Sequence, residues 1–196
     1  IPTVLDLLTR AGLALQGLDA IAFGRGPGSF TGLRTACSVA QGLALGAARP
    51  VLPIDTLMAV AEETRLAQGA TRVLALLDAR MDEVYAVPLA RRAGQDWKMQ
   101  GATAVCAPED LATPDGEGWV LAGNVFEIHG ARLPANLRTW PRHEALPTAR
   151  ALLSLMPGLL EAGGGVAAEH ALPLYIRDKV ARTMAEAGCG SIINMS

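Results

Sequence analysis

The sequence GRGPGSFTGLRTACSVAQGLALG spans residues 24–46 and joins a glycine-rich loop to a segment that has no proline and one charged residue. Glycines at alternating positions let the backbone turn through positive φ and leave its N–H groups uncovered. Ser29 or Thr31 can cap a following helix, because a side-chain oxygen at either position satisfies an otherwise unpaired backbone N–H. The stretch therefore predicts a tight corner followed by a helix over residues 29–46.

Small residues recur every four positions along this predicted helix and so share one face. They are Gly32, Ala36, Ala40 and Ala44, and Gly42 and Gly46 repeat the spacing. Such a bare face lets a partner helix approach closely, and the glycine loop would suit an anion at the helix N-terminus. A strand–turn–helix corner with a buried helix explains the same pattern, because apolar helix stripes are usually core. The spacing favours the core interpretation and leaves the functional one open.

The common phosphate-binding motifs do not fit this loop. A GxGxxG frame that starts at Gly24 meets Ser29 at its third glycine position, and a frame from Gly26 meets Thr31. No GK[ST] follows, so the Walker pattern is absent as well.

The segments GRGPGSFTGLR and QGLALG are followed in order by IDTLMAVAEE, TRVLALLDARMDEVYAV and EHALPLYIRDKVA. Together they resemble the TsaB (YeaZ) family, the non-catalytic partner in bacterial synthesis of threonylcarbamoyladenosine (t6A) in tRNA. The resemblance covers most of the chain from Ile1 to about Arg182, and GPGSFTGLR is its most specific element. It implies an α/β protein with the two-lobed actin-like/Hsp70/sugar-kinase ATPase (RNase H-like) fold, catalytically degenerate.

The same resemblance implies a scaffold role. The chain is expected to form a heterodimer with TsaD through helices of its first lobe, and a homodimer when alone. The ATPase TsaE joins a larger complex, which transfers threonylcarbamoyl to adenosine 37 of tRNA. The chain is therefore expected to contact tRNA only as part of this complex. No cofactor of its own is implied, and a nucleotide at the TsaD interface is left open.

Two sets of residues are the candidate sites. The expected partner or dimer interface combines small residues, which allow close helix approach, with apolar contact area: Leu5, Leu8, Phe30, Gly32, Leu33, Ala36, Ala40 and Leu43. The family signature loop comprises Gly24, Arg25, Gly26, Pro27, Gly28, Ser29, Thr31 and Arg34. No catalytic residue and no metal ligand is assigned.

Composition limits the function classes. Of 196 residues, 51% are hydrophobic and 18% charged, which suits a globular chain with a substantial core. A net charge of −2 does not favour binding of RNA by this chain without a partner. Three widely spaced cysteines suggest a reducing compartment rather than a disulfide framework. Without a signal peptide or a membrane-length apolar run, the expected location is the cytoplasm.

The chain starts at Ile1 rather than at a methionine, so we expect that it begins inside something longer or has been processed. The family would carry a strand with an Asp-Thr-Ser-type motif, and further strands, before this point. That motif is therefore unassignable here.

Periodicity and capping signals predict the order of the elements. A first lobe over 1–68 contains a helix over Thr3–Gln16 ended by Gly17, a strand over 18–24, the corner and helix, a strand over 50–54, and a helix capped by Asp55 or Thr56. Strand–helix–strand order makes its two strands parallel. A second lobe over 69–196 contains strands over 72–78 and 83–90, strand anchors at Trp97 and Trp119, a strand ending at Gly123 and a helix over 148–162.

Three carboxylates, Asp78, Asp82 and Glu83, lie close together at the predicted 79–82 turn. They suit either a metal or acid/base site or a charged turn with Arg80 as counterion. The turn interpretation is favoured because no histidine stands nearby in sequence. Farther on, PLYIRDKVAR suits an exposed strand end with local ion pairs, whereas the final residues, 188–196, have no interpretation.

Catalytic patterns are scarce. His129, His143 and His170 form no HxxxH or HExxH pair, and the GxSxG nucleophile elbow is absent. An actin-fold kinase or nucleotide hydrolase that uses the Gly24–Gly28 loop for phosphate is the alternative function, and a stand-alone peptidase is a weaker one.

Overall fold

The computed structural model describes residues 1–177, which form a two-stranded sheet, a six-stranded sheet and flanking helices. The elements are α1 Pro2–Ala11, β1 Ile21–Gly26, α2 Phe30–Ala47, β2 Val51–Asp55, α3 Thr56–Gln68, β3 Arg72–Arg80, β4 Glu83–Ala90, β5 Lys98–Met99, β6 Ala104–Cys106, β7 Val120–Gly123, α4 Phe126–His129, β8 Arg142–Glu144 and α5 Ala149–Glu161. The predictions for Asp178, Lys179, Cys189 and residues 188–196 lie outside the described residues.

The strand–helix–strand unit at the start of the chain is confirmed. Strands β1 and β2 pair in parallel, with Ile21 opposite Val51, and α2 makes the crossover between them. Ser29 is the N-cap of α2, where its hydroxyl accepts from the Gly32 N–H at 3.2 Å. Asp55 caps α3 in the same way, because its carboxylate accepts from the Leu57 N–H at 2.9 Å.

The first helix is shorter than its sequence predicts. It ends at Ala11 because Gly12 adopts a left-handed conformation with φ of 68°, so the expected end at Gly17 is wrong. A single 3-10 turn over Leu15–Gly17 replaces the last predicted turn. None of the ten residues of α1 is buried.

The larger sheet has the order β5-β4-β3-β7-β8, and β6 also pairs with β4. Strands β3 and β4 form the predicted antiparallel hairpin, whereas β7 and β8 join β3 in parallel. Strand β7 ends at Gly123 as predicted, and the conformation there requires glycine. Its φ is 149°, and an added Cβ would lie 1.6 Å from the Leu76 carbonyl oxygen.

The largest buried cluster draws side chains from both sides of the predicted boundary between residues 68 and 69. Leu52, Ile54 and Leu57 from β2 and α3 pack with Val73 from β3 and Leu155 from α5. Helix α3 thus packs against both sheets and against α5, and it places the signature loop beside the β3–β4 hairpin. The division into lobes at this boundary remains a prediction.

Candidate functional site

A cleft of about 510 Å³ separates the start of α2 from the β3–β4 hairpin. Residues 27–30 form one wall, and residues 77–81 form the opposite wall. The segment 174–177, near the end of the described chain, runs along the cleft and completes its lining. This cleft brings the signature loop, the charged turn and the PLYIR segment together, although they are far apart in sequence.

The signature loop is fixed in place by the rest of the chain. The Gly26 N–H donates to the Thr56 hydroxyl oxygen at 3.1 Å, and the peptide bond to Pro27 is cis. Gly26 has a φ of 125°, and an added Cβ would lie 2.5 Å from the Leu174 carbonyl oxygen. The Leu174 N–H in turn donates to the Arg25 carbonyl oxygen at 2.7 Å. The glycine is therefore needed for close approach of the segment 174–177.

Within residues 1–177 the lining offers a single carboxylate for the metal of a magnesium-bound polyphosphate, the ligand that an ATPase fold implies. Asp78 is the one carboxylate among the described residues that line the cleft, and Arg80 already lies against it. Magnesium sites in phosphate-binding proteins are usually built with carboxylates. The Gly26 N–H is occupied and Pro27 has none, so neither residue can donate to a phosphate.

In the structure the 79–82 turn is a charged turn with Arg80 as the counterion of Asp78, which is the interpretation that the sequence favoured. The Asp78 carboxylate accepts from the Arg80 N–H at 2.9 Å and lies 3.1 Å from its guanidinium. The other two carboxylates each face a different arginine, so the three groups diverge: Asp82 with Arg132 at 3.5 Å, and Glu83 with Arg177. Arg80, Met81 and Asp82 all have positive φ, which sharpens the hairpin.

One histidine comes closer to this turn than the sequence suggests. His129 is 3% exposed, and its Nε2 lies 3.6 Å from the Asp78 carboxylate, beyond hydrogen-bonding distance. Within residues 1–177 neither ring nitrogen of His129 has a hydrogen-bond partner. His143, by contrast, pairs with the Gln68 amide at 2.8 Å, away from the cleft.

The predicted interface residues are divided between surface and interior. Leu5, Phe30 and Gly32 are exposed, and Leu8, Ala36 and Leu43 are half-buried. Leu33 and Ala40, however, are buried within the chain itself.

The reason is the orientation of α2, whose Gly32/Ala36/Ala40/Ala44 stripe is exposed at Gly32 and buried at Ala40 and Ala44. Ala40 and Ala44 pack with Phe23 and Val51 of the two-stranded sheet. Leu33 lies next to the backbone of Gly26. Leu33 and Ala40 are therefore covered by the chain itself in this arrangement, and their assignment to an interface stays a prediction. The exposed face of α2 instead carries other, mostly small residues: Thr31, Thr35, Ser38, Gly42, Leu45 and Gly46.

A cluster that ties the signature loop to the C-terminal segment lies at the mouth of the cleft. The Phe30 and Tyr175 rings are 5.6 Å apart between centroids, and the Arg34 guanidinium lies 4.0 Å above the Phe30 ring. The Arg34 Nε–H donates to the Tyr175 hydroxyl at 3.2 Å. At the same segment, Arg177 contacts Glu83 and Met81 across the cleft.

Sequence reasoning missed a buried carboxylate, Glu62 of α3. It accepts from Arg65 at 2.8 and 2.7 Å and from the Trp97 indole at 2.8 Å, with further contacts from Arg91 and Ser154. Burial opposes its ionisation, but hydrogen bonds from Arg65, Ser154 and Trp97 outweigh that cost and lower the pKa of Glu62 to about 2. The available signal was a glutamate on the apolar face of a helix, three residues before an arginine.

Comparison with known proteins adds independent information. A family model described as "TsaD: tRNA N6-adenosine threonylcarbamoyltransferase" matches residues 1–184. The protein named tRNA threonylcarbamoyladenosine biosynthesis protein TsaB in Escherichia coli (strain K12) is 40% identical over 188 residues, which cover 92% of this chain and 80% of that protein. The protein of the same name in Haemophilus influenzae is 34% identical over 197 residues, covering 92% and 79%.

Solved structures agree with these sequence comparisons. The structure described as YeaZ from Pseudomonas aeruginosa superimposes with a TM-score of 0.83 at 45% identity, covering 89% of this chain and 81% of that one. This likeness, with the family model, supports the predicted α/β actin-like fold. No helix within residues 1–177 is both long and apolar enough to cross a membrane.

Proposed function

We propose that this chain, which belongs to the TsaB (YeaZ) family, is a non-catalytic subunit. In this role it binds TsaD and supports threonylcarbamoyl transfer to adenosine 37 of tRNA. A role in the biosynthesis of t6A follows from the family membership alone. The finer role, a scaffold for TsaD, rests on the surface of the first lobe.

The observation that carries the proposal is the uncovered apolar surface of α1. Its apolar residues Val4, Leu5 and Leu7 are exposed, Leu5 to 48%, and no residue of the helix is buried. An amphipathic helix gains most of its stability by packing its apolar face. A partner that covers this face removes it from water, so it is a strong candidate for a contact surface.

The exposed face of α2 supplies the second half of the proposed surface. Gly42 has open space around its Cβ position, and Leu45 is 76% exposed. Small side chains there let a partner helix approach closely, while Leu45 and Phe30 supply apolar area. The interface is thus proposed on the outward face of α2 rather than on its inward stripe.

The remaining parts of the proposal also rest on membership of the family. Alone, the chain forms a homodimer through the same face, and TsaD displaces the second copy. TsaE joins the complex, and a nucleotide lies at the TsaD interface. The chain contacts tRNA only through this assembly, which forms in the cytoplasm.

Light scattering on the chain with and without TsaD tests the proposal, with ATP turnover by the chain alone measured in parallel. Leu5→Asp and Gly42→Phe should weaken association with TsaD by about tenfold or more, because both change exposed positions without filling the core. Gly101→Phe is the matched control, since Gly101 also has open space at its Cβ and lies on a loop of the second sheet. Ala40→Phe should instead lower thermal stability, because that position is buried.

Two results would refute the proposal. One is unchanged association of folded Leu5→Asp and Gly42→Phe variants with TsaD. The other is nucleotide hydrolysis by the chain alone without any complex, which would favour the alternative enzyme function.

A further inference from the structure

We infer that a second cavity, on the face of the six-stranded sheet opposite α3 and α5, binds an organic cation, that is, an amine attached to an apolar body. The residues that line this cavity belong to neither α1 nor α2, so the inference does not depend on the proposed contact with TsaD. It rests on the origin of the cavity, its apolar floor and the charges of its lining.

The cavity exists because helices cover one face of the sheet and an irregular segment covers part of the other. Side chains alternate between the two faces of a strand. Val73 and Ala75 of β3 therefore pack with α3 and α5, whereas Leu74 belongs to the cluster on the opposite face. Over Leu74 the cover is the segment 100–115, which contains no α-helix. It leaves a cavity of about 500 Å³, which lies within the range of small-molecule sites.

The floor of the cavity is apolar. Leu74 of β3 lies opposite Pro88 of β4 in the antiparallel register, and Leu74 is 2% exposed. Ala86, Leu111 and Trp119, which are all buried, line the cavity as well. Such a floor favours a ligand with an apolar body, because binding removes apolar surface of both molecules from water.

The charged side chains of the lining select the sign of the ligand. Asp110 and Asp115 line the cavity, and within residues 1–177 its lining includes no lysine, arginine or histidine. Neither carboxylate forms an ion pair in the part of the chain that the structure describes. Arg72, which lies near Trp119, instead donates to the Glu117 carbonyl oxygen at 2.8 Å. The cavity thus offers negative charge to a ligand.

Cys106 shows that this negative charge acts inside the cavity. The half-buried Cys106 lines the cavity, and burial, together with the Asp110 and Glu83 charges, raises the pKa of its thiol. Carboxylates that disfavour a thiolate at this place attract a cation to it. Burial of an ammonium group costs hydration, and the carboxylates offset that cost. An amine on an apolar body therefore matches both the floor and the charged walls, whereas an anion meets repulsion.

Isothermal titration calorimetry of the full chain with phenethylamine, phenethyl alcohol and hydrocinnamate tests the inference, because these molecules share a phenyl ring and differ in charge. We expect phenethylamine to bind, and hydrocinnamate to bind at least about tenfold more weakly. Asp110→Asn and Asp115→Asn should each weaken binding of the amine about threefold, and together about tenfold, since each removes one exposed carboxylate charge. Binding of the uncharged alcohol should be the same in parent and variants.

The matched control is Asp19→Asn, an exposed position outside the cavity, which should leave binding of the amine unchanged. Melting curves establish that each variant is folded. Alkylation of Cys106 by iodoacetamide, followed by peptide mass spectrometry, locates the ligand, because saturating phenethylamine should slow it about threefold or more.

Four results would overturn the inference. Phenethylamine fails to bind at millimolar concentration, or hydrocinnamate binds as tightly as the amine. The folded Asp110 and Asp115 variants bind the amine as the parent does, or Cys106 reacts at an unchanged rate in the saturated chain, which would place the ligand elsewhere.

Discussion

Substituting Glu62 by glutamine removes a buried negative charge while nearly preserving side-chain volume. In the folded chain this carboxylate accepts from Arg65 through both oxygens and from the Trp97 indole, and Arg91 lies 3.3 Å away. A glutamine offers one acceptor oxygen and an NH₂ group that faces donors, so at least one buried donor loses its partner. The arginine charges also lose their counterion.

The pKa of Glu62 sets the expected magnitude. Lowering it from 4.5 to about 2 corresponds to about 3 kcal/mol of stabilisation at neutral pH. We therefore expect Glu62→Gln to lose about 3 kcal/mol, or roughly 6–12 °C in the melting temperature of a chain of this size. Urea unfolding followed by tryptophan fluorescence measures the loss directly.

The pH dependence gives a sharper test of the same reasoning. The folded-state pKa lies below the unfolded value, so the stabilisation is fully present above pH 4.5 and is lost as the pH falls towards about 2. The stability gap between the parent and Glu62→Gln should therefore shrink over this window. Glu127→Gln, at an exposed position of α4, controls for a change in overall charge and should change stability little at any pH.

Two outcomes would refute this account. A loss below about 0.5 kcal/mol at pH 7 would mean that the arginine and tryptophan contacts do not favour the charged form of Glu62. A gap that stays constant from pH 7 to pH 3 would mean that the loss comes from packing rather than from the charge.

Three further predictions concern the frame around the site. Gly123→Ala should cost more than about 3 kcal/mol or prevent folding, because its Cβ would overlap a carbonyl of the adjacent strand, while Gly101→Ala, in open space, should melt like the parent. Ser29→Ala should cost about 1 kcal/mol in urea unfolding through loss of the α2 cap, and Ser38→Ala, on the exposed face of α2, should cost clearly less. Burial raises the pKa of the Cys37 thiol, so a variant that keeps only this cysteine should react with iodoacetamide about tenfold more slowly when folded than in urea, and equal rates would contradict its burial.

Local signals in the sequence predicted much of the fold. The glycine corner, the Ser29 cap, the parallel β1–β2 pair and the β3–β4 hairpin are all found where periodicity and turn chemistry predicted them. These features depend on residues within a few positions of each other, so the sequence carries them directly. Where local signals competed, as for Gly12 and Gly17 after α1, the backbone ended the helix at the first glycine.

By itself, the sequence determined the order of the elements, the corner at residues 24–29 and the family resemblance. Only the tertiary structure decided which face of α2 is outward, because β1 and β2 pack on its alanine stripe and cover Ala40. It alone also brought Glu62 to Trp97 and His129 to Asp78, across 35 and 51 positions of chain. Hydrogen-bond and burial partners at such separations are set by how the sheets and helices pack, and no spacing within one element encodes them.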